Sequence, residues 1–299
     1  PLDLLDYSSH TALSLAAASG YVKIMRLLLA KGADPRAPRL KGGLACAALG
    51  SSSEEAGALA LDAAKPSLEG DAGGELLTCA KGASMTLVRR LLDGGARHGP
   101  DAAAQFVSHF AGNRPFADFK QLIDRGYSLH PAGAYNPFLD AGSAGNLELI
   151  RFLLERGHQV DAANSEGKSA LYFAARQGKM EAVKFLVEKG ASAAGGPRRT
   201  PPLIGAADTR QTDIIRFLVS KGADANAADL KGATPLTKAC DNSSGSAATV
   251  EALLELGAKP DLGDADGVTP LMYAASRNYA DAIALLLKKR ADPNARTKN

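Results

Sequence analysis

Apolar positions along this chain come in two short clusters that return together every 31 to 35 residues. The first cluster is led by one large apolar residue, at Leu13, Leu44, Leu76, Val107, Phe138, Leu171, Leu203, Leu236 and Leu271. Small residues follow three or four positions later, as in Ala16-Ala17, Ala47-Ala48, Cys79-Ala80 and Ala206-Ala207. The second cluster is a leucine pair or run, such as Leu285-Leu286-Leu287, which supplies the apolar face of a helix. Nineteen residues after most leading positions stands a glycine, at Gly32, Gly95, Gly126, Gly157, Gly190 and Gly222, with Gly257 arriving two residues late. Each period thus predicts two short helices and a loop. The small pair lets neighbouring first helices approach, and the glycine takes the left-handed conformation that ends the second helix. A period of this length predicts a stack of like units rather than a fold around one core.

Polar positions keep the same register. Thr269 precedes Pro270 at the head of a first helix, where the hydroxyl caps the free N–H groups and the missing proline N–H costs nothing. The segments Thr269-Pro270-Leu271-Met272-Tyr273-Ala274-Ala275, Thr234-Pro235-Leu236 and Ser169-Ala170-Leu171-Tyr172-Phe173-Ala174-Ala175, each followed by a leucine pair and a Gly-Ala step such as Gly190-Ala191, resemble the ankyrin repeat family. The resemblance covers nearly the whole chain. It implies an all-α solenoid of about nine helix-turn-helix units with β-hairpin-like loop tips, forming a single domain over residues 1–299.

Repeats two to four depart from the pattern. Repeat two has Gly42-Gly43-Leu44 in place of Thr-Pro-Leu, a second helix expected over 54–64 with Ser51-Ser52-Ser53 as its cap, and then a glycine-rich stretch, Lys65 to Gly74, that reads as a loop. In repeat four, Ala111 to Pro115 reads as the turn between helices. Lost consensus predicts that 44–74 opens more readily than 171–222. Neither end reads as a purpose-built cap, and Ala291-Asp292-Pro293-Asn294-Ala295 has the form that leads into a further repeat. The expectation is that Arg277, Lys288, Lys289 and Arg290 partly supply the polar outer face a terminal repeat needs; the alternative is that the natural chain continues or a partner covers the end. Arg290 stands where seven other repeats have glycine, which predicts a non-glycine residue under left-handed strain.

The chain is 299 residues long, with 45% hydrophobic and only 5% aromatic residues, as suits a stack without a central core. A net charge of +3 with no long basic run gives no case for nucleic acid, and no apolar stretch is long enough to insert in a membrane. Cys46, Cys79 and Cys240 lie at or beside small-residue positions and read as buried thiols. Taking stacked helices as about 8–10 Å apart, Cys46 and Cys79 read as too distant for a disulfide, which favours a cytoplasmic setting. A cleaved signal peptide would instead place the chain in the periplasm or outside the cell.

No zinc-protease, serine-hydrolase, phosphate-loop or Cys-x-x-Cys motif is present. His10, His98, His109, His130 and His158 lie in different repeats without ligand spacing; His98, His130 and His158 are expected to be exposed in loops. Asp224, Asp229, Asp261 and Asp292 hold loop positions where carboxylates bond backbone N–H groups and close turns. The sequence therefore predicts no enzyme activity, no cofactor and no metal.

The family resemblance implies recognition of another protein through the concave side, made of loop tips and first helices. Carried over repeat by repeat, the partner-binding positions are Tyr7, His10, Tyr135, Glu166, Lys168, Arg176, Gln177, Arg198, Arg199, Asp208, Lys231, Asp241, Asn242, Asp266 and Arg277. Positive charge gathers at Lys168, Arg176, Arg198 and Arg199 and gives way to Asp208, Asp241 and Asp266, a sign change that would fix the register of a complementary partner. The expectation is a monomeric, non-catalytic interaction protein, either a bacterial effector or a toxin-neutralising protein. The alternatives are a protective accessory of an enzyme, in the periplasm, or the targeting module of a larger enzyme.

Overall fold

The computed structural model describes residues 10–36, 43–129, 135–241 and 246–298. Among these it contains eighteen α-helices, one 3-10 turn and no named strand. The chain divides into two compact bodies, residues 1–110 with 117–135 and residues 111–116 with 136–299, and each is described by itself.

In the N-terminal body the helices come as α1 (Ala12–Ala18) and α2 (Val22–Ala30), α3 (Gly43–Leu49) and α4 (Glu54–Ala64), then α5 (Gly70–Cys79) and α6 (Met85–Asp93). After them come α7 (Pro100–Asn113), which runs across the division between the bodies, and α8 (Phe116–Asp124). First helices pack on first helices, α1 on α3 and α3 on α5, while α2, α4 and α6 form the second layer. Thr11 opens α1 with a capping box: its hydroxyl accepts from the Ser14 N–H, and Ser14 Oγ accepts from the Thr11 N–H. Ser53 caps α4 in the same way by accepting from Ala56 N–H at 3.2 Å.

Three sequence expectations need correction here. Residues 70–74 are not loop but the first turn of α5. Their glycines serve close approach, since a Cβ on Gly73 would lie within van der Waals overlap of the Leu68 carbonyl and one on Gly74 only 2.9 Å from the Arg97 carbonyl oxygen. Packing outweighs glycine's poor helix propensity at that point. In repeat four, α7 continues to Asn113, so the break is confined to Arg114-Pro115. Most consequentially, Cys46 and Cys79 form a disulfide with their Cα atoms 5.3 Å apart. The helix spacing of about 8–10 Å runs between axes. Facing Cα atoms each stand about 2.3 Å off their axis, so they come within disulfide range.

The C-terminal body pairs α9 (Pro137–Ala144) with α10 (Leu147–Glu155), α11 (Ala170–Arg176) with α12 (Met180–Glu188), and α13 (Pro202–Asp208) with α14 (Thr212–Ser220). Two further pairs follow, α15 (Pro235–Asp241) with α16 (Ala247–Glu255) and α17 (Pro270–Ser276) with α18 (Ala280–Lys288). The leading residues Phe138, Leu171, Leu203 and Leu236 are buried, whereas Leu271 in the last pair is half-buried. Small residues set the helix spacing: a Cβ on Gly142 would sit 2.7 Å from the Ala170 carbonyl oxygen, and one on Gly205 2.9 Å from that of Tyr172.

The glycines after the second helices have the expected left-handed backbone, from Gly32 at φ 87° to Gly257 at φ 92°. Arg290 shares it, at φ 64°. Its N–H bonds Leu287 O at 2.9 Å and the Ala291 N–H bonds Leu286 O at 3.0 Å, the same pair of bonds that Gly190 and Ala191 make. We therefore expect Arg290→Gly to stabilise the last repeat by up to about 1 kcal/mol, less glycine's extra folding entropy and a few tenths lost with a charge near the helix C-terminus. Thermal melts of the two proteins check this; a lower melting temperature for the variant would show that contacts of Arg290 outweigh its strain.

Candidate functional site

The site is built on three loop tips of one design. Asn164, Asp229 and Asp264 each accept two backbone N–H bonds through one side-chain oxygen: from Glu166 and Lys168, from Lys231 and Ala233, and from Asp266 and Val268, at 2.9 to 3.1 Å. A turn closes over each, with the N–H of Gly167, Gly232 or Gly267 bonding the carbonyl of that residue. Bonds back across the tip, such as Asp229 N–H to Ala233 O at 2.9 Å, and an isolated antiparallel bridge between Ala163 and Ser169 give the hairpin-like form. This geometry puts Glu166, Lys231 and Asp266 at equivalent, exposed positions of the tips of repeats six, eight and nine. Asp224 and Asp292 also accept nearby backbone N–H groups, from Asn226 and Asn294, and Asp261 accepts one from Asp292 in the following tip. Asp224, Asp229 and Asp292 thus close turns, as the sequence indicated, whereas the bond of Asp261 links one repeat to the next.

Between the tips and the first helices lies a groove of about 550 Å³. Tyr172 on α11 and Ile204 on α13, both buried, form its floor. Five of the positions expected from sequence line it: Glu166, Lys168, Arg176, Asp208 and Lys231. The Lys168 ammonium lies 2.5 Å from the Glu166 carboxylate and 5.5 Å from the Tyr172 ring centre. The hydrogen bond to Glu166 raises the Lys168 pKa and lowers that of Glu166, so the pair stays charged. Arg176 Nε meets an Asp208 carboxylate oxygen at 3.1 Å, joining α11 to α13. Arg277 and Asp241 make the corresponding link at 2.8 Å between α17 and α15. The opposite charges that sequence reading set along one surface thus partly pair with each other. Such half-exposed pairs contribute about 0–1 kcal/mol each.

The remaining expected positions fall elsewhere. Arg199 turns back to the preceding tip, donating to the Asp161 carbonyl with its guanidinium 3.8 Å from the Asp161 carboxylate. Arg198 is exposed, with a left-handed backbone at φ 58°. Gln177 and Asp266 are exposed, Tyr135 is 43% exposed just before α9, and His10 is half-buried just before α1. Tyr7 and Asn242 lie outside the described residues. Sequence reasoning missed Leu230 and Lys238, which also line the groove. Leu230 is 62% exposed, and its signal was a leucine out of helical register inside the turn Asp229-Leu230-Lys231-Gly232. Lys238 was passed over because it lies only two residues after Leu236, inside the first helix.

A second cavity, of about 340 Å³, belongs to the N-terminal body and is lined by Arg97, His98, Val107, Arg125 and Tyr127 among others. His98 is not loop-exposed as expected. Its ring packs 4.6 Å from that of Phe106, and its Nδ1 lies 3.0 Å from the Tyr127 hydroxyl. Burial, aided by Lys81, pushes its pKa down to about 4, so it is neutral at pH 7. Burial likewise pushes Tyr127 up to about 12, which keeps its hydroxyl protonated. His158 is also half-buried, stacked 6.0 Å from Phe138, and His130 lies outside the described residues. Cys240 is a buried thiol held protonated, its pKa pushed up to about 12 by burial. No helix among the described residues is long and apolar enough to cross a membrane.

Stacked helix pairs, glycine-ended second helices and Asx-closed tips define a repeat protein of the ankyrin type. The family model for "Ankyrin repeats (3 copies)" matches residues 101–194, 138–229 and 203–297, and that for a single "Ankyrin repeat" matches 9–39. The chain belongs to the ankyrin repeat family. It is 30% identical over 190 residues to the Ankyrin repeat and KH domain-containing protein mask-1 of Caenorhabditis elegans, which is 63% of this chain and 7% of that protein. It is 31% identical over 147 residues, 48% of this chain, to the B-cell lymphoma 3 protein homolog of Mus musculus, and 27% identical over 158 residues, 52% of this chain, to the E3 ubiquitin-protein ligase KEG of Arabidopsis thaliana. The matched part spans only 30% and 9% of those two relatives. As an ankyrin repeat array, the chain is a protein-interaction module.

Proposed function

We propose that this chain binds a protein partner, as a single copy and without catalysis, through the face formed by its loop tips and first helices. The observation that carries this is the groove over Tyr172 and Ile204, where the tips closed by Asn164 and Asp229 hold charged side chains next to an exposed leucine. Turns fixed by side-chain bonds lose little freedom on binding, so more of the contact energy becomes affinity. An effector and a toxin-neutralising protein both act by such binding. The test is capture of the native partner by the intact chain and by a Glu166→Lys, Lys231→Glu, Asp266→Lys variant, which inverts the tip charges without touching the turn bonds. We expect capture to fall about tenfold or more with the helical circular dichroism unchanged. Unchanged capture would place the interface elsewhere.

Two observations favour particular settings. The Cys46–Cys79 disulfide favours an oxidising compartment, periplasmic or extracellular, over the cytoplasm, and with it the accessory or exported reading. Thiol labelling of the protein taken from its own cells decides between them: labelled Cys46 and Cys79 would return it to the cytoplasm. The small share of each relative that the chain spans supports the other alternative, a module that directs a longer protein to its target.

A further inference from the structure

We propose that the groove over Tyr172 and Ile204 takes an extended acidic segment of a partner protein, a carboxylate seated between Lys231 and Lys238 and a neighbouring large apolar side chain against Leu230. The inference rests on the protein-binding reading above and names the chemistry of the bound segment.

The argument is one of committed and uncommitted charge. Three carboxylates line the groove, and each already has a partner: Glu166 holds Lys168, Asp208 holds Arg176, and Asp229 accepts the Lys231 and Ala233 backbone N–H groups. Of the four cations in the lining, Lys168 and Arg176 are thereby engaged. Lys231, exposed on the tip, and Lys238, half-buried on α15, make no salt bridge to any described residue. Outside the ion pairs the groove therefore holds two ammonium groups, before and after the turn-to-helix step through Thr234, against the one turn-closing carboxylate of Asp229, which leaves its lining with an excess of positive charge. A partner carboxylate answers them without breaking an existing pair. A partner cation would find only the Asp229 carboxylate, one oxygen of which already holds two backbone N–H groups, unless it displaced Lys168 or Arg176.

Leu230 supplies the second requirement. It sits at the first central position of the Asp229–Gly232 turn, which the Gly232 N–H to Asp229 O bond and the two bonds to the Asp229 carboxylate hold closed. The side chain cannot fold away into a core, so its 62% exposure is a standing apolar contact beside the cations. A nucleic-acid strand is the weaker fit, because Glu166, Asp208 and Asp229 in the same lining repel a run of phosphates.

The experiment displays random short peptides against the intact chain, then measures binding of a fluorescein-labelled peptide alternating glutamate and leucine. Glutamate–serine and lysine–leucine peptides and a single-stranded oligonucleotide serve as comparisons. We expect selected peptides to place Asp or Glu beside a large apolar residue. The glutamate–leucine probe should bind best and weaken with salt, losing about tenfold or more in Lys231→Glu/Lys238→Glu. The milder Lys231→Gln/Lys238→Gln and Leu230→Ser should each lose part of that, and Lys23→Glu/Lys31→Glu, within and just after α2, should lose nothing. Circular dichroism and melting verify each fold. Absence of selection, preference for basic or neutral peptides, tighter binding of the oligonucleotide, or indifference to both lysine variants overturns the proposal. If the tip-charge variant loses the native partner while Lys231→Gln/Lys238→Gln retains it fully, the protein-binding face stands and the acidic segment falls.

Discussion

Replacing Cys46 and Cys79 together with alanine should destabilise the N-terminal body by about 3–4 kcal/mol. The estimate is the chain entropy that the 33-residue loop regains when the bond is absent from the unfolded state. The bond spans repeats two and three, where consensus residues are weakest, and joins α3 to the end of α5. In a stack, each repeat draws stability from its neighbours, so the loss should appear as an early separate melting step rather than a shift of the whole transition. Reductant should reproduce that step in the native sequence and leave the double variant unmoved. Hydrogen exchange sharpens the test. The oxidised chain should protect 44–74 nearly as well as 171–222, and reduction should expose the faster opening that the irregular sequence predicts. A native chain indifferent to reductant would show that the two sulfurs are not joined in solution.

What the sequence carried and what it hid follow from one distinction. Periodic features were readable because several signals keep one register: the leading apolar residue, the cap, the small pair and the terminal glycine. Arg290 shows the strength of that register, since a missing glycine alone located its left-handed backbone. The helix-to-helix turn repeats as well, with Gly145, Gly178, Arg210 and Asn278 all at positive φ, but its mixed residue types concealed the period. Features that depend on distance between repeats were hidden. The disulfide depended on the gap between facing Cα atoms, and α5 on how closely neighbouring loops approach Gly73 and Gly74. At the site, sequence could place Glu166, Lys231 and Asp266 on tips but could not show which charges neutralise each other. Arg176 with Asp208 and Arg277 with Asp241 are 32 and 36 residues apart, one repeat each. Only packing reveals that those charges are engaged while Lys231 and Lys238 are not.

Gly232→Ala should cost about 2–5 kcal/mol and weaken binding at the groove, more than the same change at Gly222. Both glycines have left-handed backbones, at φ 77° and φ 91°, so both alanines carry the penalty of about 1–2 kcal/mol for that conformation. Their surroundings differ. A Cβ on Gly222 meets nothing within 4 Å, whereas one on Gly232 would stand 2.5 Å from the Ala265 backbone nitrogen in the next tip. That contact is backbone and cannot swing aside like a side chain. The tips must separate, straining the 3.2 Å bond from Ala265 N–H to Lys231 O and adding about 1–3 kcal/mol of overpacking. Since Lys231 and Leu230 ride on the same turn, the separation also moves the two side chains that the acidic segment would meet. Urea melts of the two alanine variants, with binding of the glutamate–leucine probe, measure both effects. The difference between the variants isolates the contact between tips, because the conformational penalty is common to both. Equal losses of stability would mean that neighbouring tips are not held in close contact, and that the groove's charged wall is set by α11, α13 and α15 alone.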